Sequence, residues 1–248
     1  MADVEGQHYT AFGGEGGNIM VKSATREVRM GFVRKVYGIL AAQLALTVAI
    51  AAPIQQMPMS WLKHHMWLMQ VSLVGSIVAV CAMACCEKIT KTYPTNYIVL
   101  FTFTAFEAIL VGMISATYTK GVVCAAAAIT TVIFVCMTVY AWTSKTDFTG
   151  FGPYLMGFLI ALFALGLALP LLPLLGVSMS LATKGYAALG VILFTFYIVY
   201  DTQLIIGEWK GHKVSFGIDD YVFAALNLYL DIINLFLDLL RLLGDNNN

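Results

Sequence analysis

Charge is scarce in this chain: of its 248 residues only 11% are Asp, Glu, Lys or Arg, where a soluble domain carries about 25%. Water is therefore not its main solvent. The 14 basic residues balance the 14 acidic ones, so no global field draws in nucleic acid or an acidic substrate, and function has to be local. Five cysteines, Cys81, Cys85, Cys86, Cys124 and Cys136, sit inside or at the ends of apolar runs without zinc-type spacing. Neither a zinc site nor a disulfide framework is supported. Small apolar packing is the plain reading of these thiols, although Cys85-Cys86 is also placed for palmitoylation. His64-His65 is an adjacent pair whose side chains would diverge by about 100° on a helix, which does not make a metal site. There is no Asn-x-Ser/Thr sequon to mark a glycosylated lumenal loop. The first thirty residues lack the apolar core of a cleavable signal peptide and contain the run from Phe12 to Gly17, FGGEGG. Residues 1–30 read as a disordered cytosolic tail, with the first membrane helix as an uncleaved anchor.

What the chain has in abundance is apolar length. Hydrophobic residues make up 60% of it, and they recur in runs of about 20, the length of one bilayer crossing. There are seven such runs, near Phe32 to Pro53, Met66 to Cys85, Asn96 to Ser115, Gly121 to Trp142, Tyr154 to Leu175, Tyr186 to Ile206 and Tyr221 to Leu243. The expected fold is an all-α membrane protein, a seven-transmembrane-helix bundle over 31–244 followed by a short C-terminal tail at 245–248. The loops are too short to fold into a soluble domain. Lys22, Arg26, Arg29, Arg34 and Lys35 share one side with Lys88, Lys91, Lys145, Lys210 and Lys213, leaving Lys63, Lys120, Lys184 and Arg241 on the other. The positive-inside rule then puts the N-terminus in the cytosol. Ala125 to Ala128, Gly157, Gly166 and Gly176 read as close helix contacts. Pro170 and Pro173 are expected to bend or end the fifth span. Trp61, Trp67, Trp142 and Trp209 fall near run ends, as an interfacial belt requires.

The informative residues are acids at membrane depth: Glu107 in the third span, Asp201 in the sixth, and Asp231 and Asp238 in the seventh. Each costs at least about 2.5 kcal/mol to insert and normally faces a bundle interior with a purpose, a structural hydrogen-bond anchor being the plainer one. In the seventh span Asn227, Asp231, Asn234 and Asp238 follow a 4, 3, 4 spacing and so share one helical face, a polar stripe that points to a water-accessible interior. The sixth and seventh spans form an antiparallel pair. At about 1.5 Å per residue Asp201 lies about 10 Å in from Glu208 and Asp231 about 16 Å in from Asp220, depths close enough to meet. No span interior offers a Lys or Arg, since Arg34, Lys35 and Arg241 lie near the ends. The acids are thus left with one another, water or a metal cation. Two touching carboxylates cannot both ionise cheaply, so the pair is expected to hold one proton and titrate as a unit. Removing that proton leaves Asp201 and Asp231 as candidate Ca²⁺ ligands, since Ca²⁺ prefers oxygen. Asp219 and Asp220, between these spans, are helix N-terminal charges that could also collect cations at a cytosolic mouth.

The run from Leu226 to Arg241, LNLYLDIINLFLDLLR, preceded by Tyr200-Asp201-Thr202-Gln203, resembles the signature of the transmembrane Bax-inhibitor-motif family. Within it the lifeguard or Golgi anti-apoptotic branch looks closest. The run from Arg29 to Tyr37, Glu107, and the run from Ser144 to Thr149 add to the likeness, which spans nearly the whole chain after the tail. The resemblance implies a seven-helix fold with the last helix central, a Ca²⁺ leak across Golgi or reticulum membranes, inhibition of apoptosis, and a di-aspartyl pH sensor carried over onto Asp201 and Asp231. It also implies partners beyond the bilayer, Ca²⁺ and H⁺: apoptotic regulators or calcium channels.

Other classes fit less well. An intramembrane aspartyl protease needs a Gly-x-Gly-Asp segment, whereas Leu228-Tyr229-Leu230 precedes Asp231, so no enzyme activity and no cofactor are expected. A retinal receptor needs a lysine within the seventh span, and that span has none. A non-conducting scaffold that regulates partner channels or apoptotic regulators remains the alternative to a channel.

Overall fold

The computed structural model describes residues 20–21, 24–176, 178–207 and 215–244. It is helical throughout, with nine α-helices among these residues: α1 (Arg26–Gln55), α2 (Met59–His64), α3 (Met66–Cys85), α4 (Glu87–Lys91), α5 (Thr95–Ser115), α6 (Lys120–Thr143), α7 (Gly152–Ala168), α8 (Met179–Ile206) and α9 (Tyr221–Leu243). Seven are long and apolar enough to cross a membrane: α1, α3, α5, α6, α8, α9, and α7 with the 3₁₀ turns that flank it. Helices suit this setting because their backbone donors and acceptors are satisfied within the segment, which hydrocarbon demands. The short α2 and α4 fall below crossing length and cap opposite ends of α3.

Several boundaries move outward from the apolar runs. α1 starts at Arg26 and α8 at Met179, because a helix continues past the hydrocarbon edge while polar side chains can reach water. Pro170 and Pro173 act as expected: the α-helix of the fifth span ends at Ala168 and gives way to a 3₁₀ segment, Leu169–Leu175. Gly207, at φ +67°, ends α8 in a conformation that favours glycine. Within the tail expected over 1–30, Met20 pairs with Gly217, Val21 donates its N–H to the Phe216 carbonyl at 2.8 Å, and the helix has already begun by Arg26. Residues 1–19 and 245–248, Lys22 of the tail, and Glu208, Trp209, Lys210 and Lys213 of the link, lie outside the described residues.

The core is organised around α9. Of its apolar window 72% is buried inside the protein, against 6% for the fifth span, so α9 is the central helix and the fifth lines the rim. α9 packs against α8, α1, α6 and α5. Outward positions such as Val74, Val78, Ile160 and Leu167 are exposed apolar surface, the side a bilayer covers, and all five cysteines are exposed as well. Contacts Lys35 over the Tyr221 ring at 3.2 Å, and Lys91 to Asp220 at 3.5 Å, place the start of α1, the end of α4 and the start of α9 at one end of the bundle. That is the end to which the basic residues were assigned.

Close approach is concentrated away from most of the small residues singled out in the sequence. Nothing lies within 4 Å of a side chain built at Gly157, whereas at Gly112 of α5 a Cβ would come within 3.1 Å of the Ala51 backbone in α1. Ala126, in α6, is fully buried. Replacing Gly112 by Leu should wedge α1 from α5 and cost about 1–3 kcal/mol. A thermal unfolding midpoint unchanged in detergent would show that the contact is not tight.

Candidate functional site

Asp201 comes from the fifth residue before the end of α8, and Asp231 from the middle of α9. Both carboxylates are buried, 4% and 5% exposed, and they hydrogen-bond to each other across the α8–α9 interface. One oxygen of the pair, Oδ2 of Asp231, is buried with no hydrogen-bond partner among the described residues. Neither carboxylate has a basic partner there. The pair lies on the wall of a cavity of about 550 Å³ formed by α7, α8 and α9, with Leu159 and Phe163 from α7 and Tyr197 and Tyr200 from α8 among its lining. The α9 stripe faces the same space: Asn227, Asp231, Asn234 and Asp238 all line it. The side-chain amide of Asn234 donates to the Leu230 carbonyl at 2.8 Å.

Other acids read from the sequence go elsewhere. Asp238 lines the cavity but, unlike Asp201 and Asp231, has a basic partner: Arg241 Nη1 donates to its Oδ1 at 2.8 Å. Arg241 is in the last turn of α9, near the span end as expected, but the expectation that the acids have only one another, water or a metal cation is corrected for Asp238. Side chains on a helix lean toward its N-terminus, so an arginine one turn further along reaches back onto the acid at i−3. Glu107 does not join the pair either. It is half-buried and hydrogen-bonds to Ser76 of α3, because α5 packs against α1 and α3. At the other end Asp220 is already engaged, 3.5 Å from Lys91 Nζ and accepting the Gly217 N–H at 3.0 Å, while Asp219 is exposed. Neither is on the cavity wall.

Among the described residues no three His, Cys, Asp or Glu side chains cluster as metal ligands. Two carboxylates with asparagine side chains on the same wall supply only part of the six to eight oxygens that Ca²⁺ takes.

The polar groups that sequence reasoning passed over hold the bundle together. Gln43 of α1 donates to Thr104 of α5 at 3.0 Å, and Thr47 meets the Tyr229 hydroxyl at 2.8 Å. Gln43 and Thr47 are four residues apart, the same spacing signal that revealed the α9 stripe. Gln203, two residues after Asp201, is fully buried and clamps the α6–α7 connection: its Oε1 accepts from the Phe148 N–H at 2.8 Å and its Nε2 donates to the Thr146 carbonyl at 2.9 Å.

Residues 29–248 match the family model described as "Inhibitor of apoptosis-promoting Bax1". The chain belongs to the Bax inhibitor/lifeguard family. It is 35% identical to Protein lifeguard 3 of Homo sapiens over 224 residues, covering 90% of this chain and 71% of that protein. It is 34% identical to Protein LIFEGUARD 4 of Arabidopsis thaliana, covering 87% of this chain and 85% of the relative. Protein lifeguard 3 of Mus musculus is 32% identical, with 88% and 70% covered. The family match takes in every residue of the cavity wall. In this lifeguard-family chain the Asp201 motif therefore combines two tasks, since Gln203 anchors the loop while Asp201 faces the cavity.

Gln203→Ala would strand a backbone donor and acceptor in a partly buried site. A loss of about 2 kcal/mol is expected, read as a lower unfolding midpoint and faster amide exchange at Phe148. Unchanged exchange there would show that the clamp does not hold the loop.

Proposed function

We propose that this lifeguard-family protein is a pH-sensitive leak channel for Ca²⁺ and other cations in Golgi or endoplasmic reticulum membranes, with Asp201 and Asp231 as its proton sensor and with a role in inhibiting apoptosis. The observation that carries the reading is the direct contact of these two buried carboxyl groups, without a basic partner among the described residues, on the wall of a largely apolar cavity that the polar stripe of α9 also lines. Two carboxylates at such range cannot both be charged cheaply in a medium that solvates them poorly, so one proton bridges them. When it leaves, the pair carries two negative charges that only a cation from the cavity can offset. Protons and Ca²⁺ thus compete for the same oxygens, and flux through the cavity depends on pH. Asn227 and Asn234 offer neutral polar groups on either side of the pair.

In this reading the protein works without catalysis or a resident cofactor, and Ca²⁺ is its cargo. The clustering of basic residues at the α1, α4 and α9-start end supports a cytosolic N-terminus. The link to apoptosis is supported by the name of the matching family model, and a leak that sets the Ca²⁺ content of an intracellular store would be the route.

Purified protein in liposomes is the test. The wild type should pass Ca²⁺ with a rate that changes with pH, and Asp231→Asn should flatten that pH profile while leaving membrane insertion intact. A wild type that inserts and passes no Ca²⁺ would make the protein a non-conducting scaffold for partner channels or apoptotic regulators. A pH midpoint that persists after both Asp201 and Asp231 become Asn would move the sensor to another group, Glu107 first.

A further inference from the structure

We propose that Arg241 and Asp238 form a second charge element in the same cavity, one that sets selectivity between cations and anions; this rests on the leak reading above. Seven residues separate Asp238 from Asp231, which is about 10 Å along α9, so the ion pair sits a full two turns beyond the proton-sharing pair. Asp238, Arg241 and Tyr186 all line the cavity that Asp201 and Asp231 line. The partners differ in access: the Asp238 side chain is 4% exposed and the Arg241 side chain 31%. Asp238 is pressed against α8 at Gly190, where any Cβ would overlap its Oδ2. The glycine leaves the gap that the carboxylate fills. The guanidinium lies outside it, 6.0 Å from the Tyr186 ring centroid.

This geometry gives the two charges unequal roles. An ion moving along the cavity meets the more accessible guanidinium, and the buried carboxylate offsets that positive charge from behind. Taking away Arg241 exposes an uncompensated carboxylate to the path, which attracts cations. Taking away Asp238 leaves a lone positive charge, which repels them. The same two changes in a merely structural ion pair would act in one direction, since each breaks one contact and leaves the other partner buried and unpaired.

The test is the K⁺ to Cl⁻ permeability ratio, from reversal potentials, together with Ca²⁺ flux in proteoliposomes. The ratio does not depend on how many molecules insert, so a poorly folding variant still reports. Arg241→Gln should raise the cation preference roughly tenfold, equivalent to about 1.4 kcal/mol. Asp238→Asn should lower it by a similar factor, and Arg241→Lys should stay near the wild type. Ratios that move the same way in Arg241→Gln and Asp238→Asn, or do not move while Asp231→Asn still alters Ca²⁺ flux, overturn this proposal alone. A wild type that conducts no ions overturns the leak reading and this inference with it.

Discussion

A helix that carries Asn227, Asp231, Asn234 and Asp238 on one face cannot turn that face to acyl chains, since each ionisable group at depth costs several kcal/mol there. That constraint makes α9 the axis of the bundle. Its polar face is turned toward α8 and the cavity bounded by α7, and its other faces are packed by α1, α5 and α6. The more peripheral spans are free to be simple. α3, α6 and the fifth span bury little of themselves and present valine, isoleucine and phenylalanine outward. Placing the acids in the middle thus decides which helices are core and which are rim.

The two sides of α9 are built differently. Toward α1 and α5 the polar contacts are closed pairs, Thr47 with Tyr229 and Gln43 with Thr104, which register helices against one another. Toward α7 and α8 the polar groups border open space, and the two carboxyl groups of Asp201 and Asp231 are satisfied chiefly by each other. Closed pairs fix the frame; the carboxyl pair on the open side is where the proposed proton exchange with the cavity would take place. Gln203 ties the α6–α7 connection to the helix that carries Asp201, so the loop at that end and the acid are held by the same turn of α8.

Much of this was legible in the sequence because hydrocarbon thickness fixes a length scale. Seven crossings follow from run length alone, and the end of the fifth helix follows from Pro170 and Pro173. The stripe on α9 was readable because four polar residues at 4, 3, 4 spacing have to share a face. The Asp201–Asp231 contact was readable because consecutive antiparallel spans bring residues of similar depth together. The Asp238–Arg241 pair was missed because depth was counted along the chain, whereas a long side chain near the span end reaches one turn back toward Asp238. The destination of Glu107 was not readable at all, since which neighbour α5 chooses is decided by packing at places such as Gly112 against Ala51. The short helices α2 and α4 escaped for the opposite reason, being too brief to leave a periodic signal.

The central claim is that one proton is held jointly by Asp201 and Asp231. Infrared difference spectroscopy of the reconstituted protein, following the carboxylic C=O stretch through a pH titration, measures it directly. Joint possession predicts a single protonated-carboxyl band that is lost or shifted when either Asp201 or Asp231 is replaced by Asn. Two bands that titrate separately, each indifferent to replacement of the other residue, would contradict the account.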